Sequence, residues 1–83
     1  MMITVLFFAQ LRDELGVSEL TLKIDENPNV QVLLNNLKNR GTNWELLLSK
    51  ASLMVAVNQT ISNKTAILSS GDEVAFFPPV TGG

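Results

Sequence analysis

Asn29-Val30-Gln31-Val32-Leu33-Leu34-Asn35-Asn36-Leu37-Lys38-Asn39-Arg40-Gly41 is the stretch on which the fold turns. Val30, Leu33, Leu34 and Leu37 fall at i, i+3, i+4 and i+7, which puts four apolar side chains on one stripe of a helix. Gln31, Asn35, Asn36, Lys38 and Asn39 fall on the other side, toward water. Asn29 is the expected N-cap and Gly41 the expected stop. A helix with a single apolar stripe needs one apolar surface to lie on, and the segments before and after it supply strands.

On the N-terminal side, Ile3 to Ala9 is β-branched and aromatic without Gly or Pro, which predicts a central strand buried on both faces. Ile3, Val5 and Phe7 share one face; Thr4, Leu6 and Phe8 share the other. Gln10 to Leu15 predicts a short helix stopped by Gly16. Leu20, Leu22 and Ile24 alternate with Glu19, Thr21 and Lys23, the period of a half-buried strand, before a turn over residues 25–28.

On the C-terminal side, a second short helix is expected over Trp44 to Leu48, capped by Thr42 or Asn43. Leu53 to Val57 reads as a strand, Asn58-Gln59 as a tight turn and Thr60-Ile61 as a short return. Gly71-Asp72 turns the chain into a last strand, Glu73 to Phe77, which Pro78-Pro79 terminates because proline cannot donate to a ladder. In order this is an α+β unit, a mixed sheet with one long helix packed across one face and short additional helices. The first and last strands are the most apolar and are therefore expected side by side at the centre. Residues 1–77 form the expected domain and residues 78–83 a flexible tail.

Composition narrows the function. Eighty-three residues make one small domain, with little interior for a deep catalytic pocket. The net charge of −2 supplies no basic face for nucleic acid or an anionic membrane. The chain has neither Cys nor His, which removes thiol nucleophiles, imidazole bases, zinc sites and disulfides, and no metal site is expected. The apolar opening MMITVLFFAQL lacks a basic lead-in and is broken at Arg12-Asp13-Glu14, so it reads as a strand rather than a leader or a membrane span. A cytoplasmic protein is expected. The acidic pairs Asp13-Glu14, Asp25-Glu26 and Asp72-Glu73 sit at turns and helix ends, where solvated surface is their ordinary role.

Chemistry concentrates in Pro78-Pro79-Val80-Thr81-Gly82-Gly83. Two glycines without Cβ atoms can thread a narrow channel in any conformation and leave a terminal carbonyl open to attack, while the prolines stiffen the exit. A carboxylate on Gly83 is a poor electrophile until activated, and the usual route is an acyl adenylate made from ATP. The chain carries no phosphate-binding loop, so activation and ATP belong to a partner and this chain binds no cofactor itself. Gly-Gly alone leaves a plain tail equally open.

The combination is more specific. Val5-Leu6-Phe7-Phe8-Ala9-Gln10-Leu11-Arg12, Val57-Asn58-Gln59-Thr60 and Gly71-Asp72-Glu73-Val74-Ala75-Phe76-Phe77-Pro78-Pro79-Val80-Thr81-Gly82-Gly83 together resemble the small subunits of bacterial molybdopterin synthases, in length and element order as well as in the closing stretch. The resemblance implies a ubiquitin-like β-grasp fold and a sulfur carrier for molybdenum cofactor biosynthesis. It implies that an adenylyltransferase activates Gly83, that a persulfide donor converts it to a thiocarboxylate, and that Gly82 gives the tail access to the large subunit. There sulfur passes to cyclic pyranopterin monophosphate, in a hetero-oligomer expected to be a heterotetramer. Carriers for thiamine or tRNA thiolation, and a non-catalytic ubiquitin-like binding module, are the alternatives. Alternation places Phe8 and Phe77 on the sheet face away from the long helix, with Ile61 within reach. With Arg12 at the rim, these residues are expected to dock the large subunit, and Pro78, Pro79, Val80 and Thr81 to meet it along the tail.

Overall fold

The computed structural model describes residues 2–24 and 28–79. Most of the turn expected at 25–28 lies outside these residues, as do Val80, Thr81, Gly82 and Gly83. Five strands, β1 (Met2–Phe7), β2 (Glu19–Lys23), β3 (Met54–Val57), β4 (Thr60–Ile61) and β5 (Glu73–Phe77), are interleaved with three helices, α1 (Ala9–Leu15), α2 (Val30–Lys38) and α3 (Thr42–Leu48). The sheet order is β2-β1-β5-β3-β4. The first and last strands are neighbours, as their apolar character leads one to expect, and they run parallel, Val5 beside Val74 and Phe7 beside Phe76. The other pairs are antiparallel.

The α2 stripe behaves as its spacing dictates. Val30, Leu33, Leu34 and Leu37 are buried with Ile3, Val5, Phe7, Val74 and Phe76 in one core. Phe7 anchors it, with its ring edge-on to Trp44 at 5.5 Å and stacked on Phe76 at 6.2 Å. The Arg40 guanidinium lies over the outer side of Trp44, 5.1 Å from the ring centre. Asn29 caps α2 as expected, its side chain accepting from the Val32 N–H at 2.9 Å.

Four expectations need correction. The sheet carries no single long helix: α2 has nine residues, and α1 and α3 have seven each. The apolar stripe ends at Leu37, where the chain leaves the helix and the Arg40 N–H closes the last turn on the Leu37 carbonyl at 3.1 Å. Gly41 does not stop α2; it is the N-cap of α3, and its carbonyl accepts from the Glu45 N–H at 3.0 Å. Thr42 and Asn43 accordingly lie inside α3 and cap nothing. Finally, β1 is buried on one face only, because the buried residues of all three helices join the core with Ile3, Val5 and Phe7, and it ends at Phe7, short of Ala9, whose left-handed conformation (φ 54°) starts α1.

The turns match their chemistry. Gly16 at φ 74° closes α1, donating to the Arg12 carbonyl at 2.9 Å. Asn58 (φ 51°) and Gln59 (φ 68°) make the two-residue turn that brings Thr60 opposite Val57. Among the described residues, no helix is long and apolar enough to cross a membrane.

Candidate functional site

The second sheet face is where the expected site residues meet. Strand alternation sends Leu6, Ala75, Ala56 and Ile61 to this face, and the register sets them in one row across β1, β5, β3 and β4. Met54 pairs with Phe77 in the next row. Phe8 follows β1 in extended conformation and donates from its N–H to the Phe76 carbonyl at 3.2 Å, which carries the register one residue further and sets Phe8 beside Phe77. The buried residues of all three helices join the core on the first face. The second face is therefore an apolar surface without a cover among the described residues, with Phe8 46% and Ile61 61% exposed and Leu6, Met54, Ala75 and Phe77 half-buried.

Phe8 and Phe77 are thus adjacent, and Ile61 shares their face two strands from Phe77 and one row back. Arg12 lies one turn along α1 from Phe8, its N–H directed to the Phe8 carbonyl at 3.5 Å. Its side chain is exposed, with Nε 3.6 Å from Asp13 Oδ1, so the pair adds little stability and leaves the guanidinium open to a partner. Sequence reasoning missed Leu6, Met54, Ala56 and Ala75 as parts of the surface. The alternation that selected Phe8 and Phe77 also placed Leu6, but the middle of the row depends on the β3–β5 register, which a single sequence does not carry.

The root of the tail is built by other elements. Pro78 lines a small cleft with Gln10, Leu11 and Glu14 of α1, Leu47 of α3, and Lys50, Ser52 and Leu53 of the following connection. Pro79 is exposed. Val80, Thr81, Gly82 and Gly83 are the remaining expected site residues and lie outside the described part of the chain.

A mixed five-stranded sheet, parallel at its centre and crossed by a helix on one face, defines a ubiquitin-like β-grasp protein. The chain belongs to the ThiS family, whose model matches residues 5–83. It is 44% identical over 82 residues to the molybdopterin synthase sulfur carrier subunit of Haemophilus influenzae, covering 99% of this chain and 100% of that one. Among solved structures it is similar to SAMP1 from Haloferax volcanii (TM-score 0.87, 24% identity, full coverage of both chains). It is also similar to a chain in the complex of subunits 1 and 2 of the molybdopterin-converting factor from Helicobacter pylori (TM-score 0.71, 23% identity, full coverage of both chains). These two likenesses concern the fold.

Proposed function

We propose that this chain is a sulfur carrier for molybdenum cofactor biosynthesis, the small subunit of a molybdopterin synthase. The Gly83 carboxylate is adenylated by a partner that uses ATP; the outer sulfur of a persulfide donor displaces AMP to give an acyl disulfide, a second thiol cleaves it and is itself oxidised to a disulfide, and the thiocarboxylate left on Gly83 delivers its sulfur to cyclic pyranopterin monophosphate in the large subunit. The chain supplies no acid, base or nucleotide site to these steps. Its contribution is to present an activatable end and a surface by which each partner holds it. All of this belongs in the cytoplasm, where ATP and the persulfide donor are at hand.

The observation that carries this reading is the position of the tail root. Phe77 is the last residue of β5 and lies on the uncovered face, so the chain leaves the sheet beside the apolar surface formed with Phe8, Leu6, Met54 and Ile61. A partner docked on that surface receives the tail in the same encounter, with Pro78, Pro79, Val80 and Thr81 leading Gly82 and Gly83 inward and Arg12 at the rim. The likeness to sulfur carrier subunits over nearly the whole chain supports the same reading.

Intact mass spectrometry of the chain isolated from its host tests it. A fraction heavier by one oxygen-to-sulfur exchange, located by fragmentation at Gly83, is the expected result. A chain found only as the carboxylate, in cells actively making molybdenum cofactor, would refute the carrier role.

A further inference from the structure

The edge of the sheet offers a second surface, independent of the tail. Among the described residues, β2 is the first strand of the sheet order and has β1 on one side only. The Phe7 N–H donates to the Ser18 carbonyl at 3.0 Å, and the antiparallel register continues through Val5 opposite Leu20 and Ile3 opposite Leu22. Bonded and non-bonded pairs alternate in such a ladder. Ser18, Leu20 and Leu22 therefore turn their backbone groups toward β1, while Glu19, Thr21 and Lys23 turn theirs outward.

We propose that this edge pairs with the same edge of a second copy of the chain, antiparallel, with Thr21 on the two-fold axis. A two-fold interface must be complementary to itself, and Glu19-Leu20-Thr21-Leu22-Lys23 is so in charge and in pattern. With Thr21 opposite Thr21, the outward N–H and C=O groups of Glu19, Thr21 and Lys23 all find partners. Glu19 of each copy then stands opposite Lys23 of the other. On the helix side, the half-buried Leu20 and Leu22 face Leu22 and Leu20 of the second copy. A lone exposed lysine on an edge strand blocks pairing; here the acidic residue at the matching position turns it into a contact. Shifting the register by two residues breaks both Glu19–Lys23 contacts of the dimer, so the charges also select the alignment. The joined sheets leave the surface around Phe77 uncovered, since β1 separates β5 from the edge.

The interface is small, so the dimer is weak and depends on concentration and salt. Sedimentation equilibrium of the full chain at low salt, up to about 1 mM, where interfaces well under ~1,200 Å² become populated, is the measurement. The average mass is expected to rise above the 9.1 kDa of the monomer, and amide exchange at Glu19, Thr21 and Lys23 to slow as concentration rises. Glu19→Lys and Lys23→Glu each place like charges opposite one another twice per dimer and are expected to weaken it about tenfold, with the double exchange restoring it. Thr21→Pro removes an N–H that points away from β1 and is expected to abolish pairing while the core survives. A chain monomeric throughout the range, a double exchange that fails to rescue, or a folded Thr21→Pro chain that still dimerises would each overturn the proposal.

Discussion

Asn58 donates through Nδ2 to Asp72 Oδ1 at 3.0 Å, tying the β3–β4 turn to the residue just before β5. The Asn58 Oδ1 accepts from the Glu73 N–H at 3.0 Å, the Asn58 N–H donates to the Glu73 carbonyl at 2.8 Å, and Asp72 Oδ2 accepts from the Ser69 N–H at 2.7 Å. One side chain thus fixes both the hairpin and the start of the strand that leads to the tail. Asn58→Ala loses the two side-chain bonds, to Asp72 Oδ1 and from the Glu73 N–H, and leaves at φ 51° a side chain with no local hydrogen bond, and is expected to cost about 2 kcal/mol in urea denaturation. Asn58→Gly, which tolerates the backbone, should cost roughly half of that. Equal losses would show that the left-handed backbone contributes nothing.

The α2 stripe makes a second prediction. Leu34 and Leu37 are fully enclosed, so Leu34→Ala or Leu37→Ala is expected to destabilise the chain by about 2–5 kcal/mol in urea melts. A loss below ~0.5 kcal/mol at both positions would mean that the helix is not docked on the sheet.

The uncovered face makes a third. Phe77→Ala removes a half-buried ring from the outer face and spares the core around Phe76. Calorimetric titration against the large subunit is expected to show binding weakened by more than about 1 kcal/mol, with the carrier still folded by circular dichroism. Met54→Ala, in the paired position, should act in the same direction. Unchanged affinity in both variants would remove the face from the interface.

The last prediction concerns the tail. Deleting Gly83 shortens the reach by up to about 3.6 Å and is expected to abolish sulfur transfer. Gly82→Ala should keep fold and large-subunit binding but slow transfer, because its Cβ narrows the fit of an extended chain in a channel. The assay supplies carrier that has been thiocarboxylated chemically to the large subunit with the pterin precursor. Normal molybdopterin formation by the Gly83-deleted chain would show that position along the tail does not matter.

What the sequence made legible depended on the kind of signal. The α2 stripe, the Asn29 cap, the Gly16 stop and the Asn58-Gln59 turn are local, and each was readable from a few neighbouring residues. Gly41 was misassigned because a glycine between two helices can end the first or begin the second. The reading of β1 as buried on both faces failed for a related reason. Leu6 and Phe8 are as apolar as Val5 and Phe7, and in sequence an apolar side chain left at the surface resembles one buried in the core. The row Leu6, Ala75, Ala56 and Ile61 is set by strand register between distant segments, which no local pattern encodes.

The parallel pairing of β1 with β5 also bears on how the chain comes to be folded. Thr4 meets Glu73 and Phe7 meets Phe76 across most of the chain length. The central ladder therefore closes a long loop and is among the last contacts that synthesis permits. A nascent chain that has not yet delivered residues 73–77 lacks the middle strand of its sheet, and with it half the wall against which Phe7 packs. Completion of the core thus waits for β5, and a chain that stops short of it presents an open sheet that quality-control proteases can recognise.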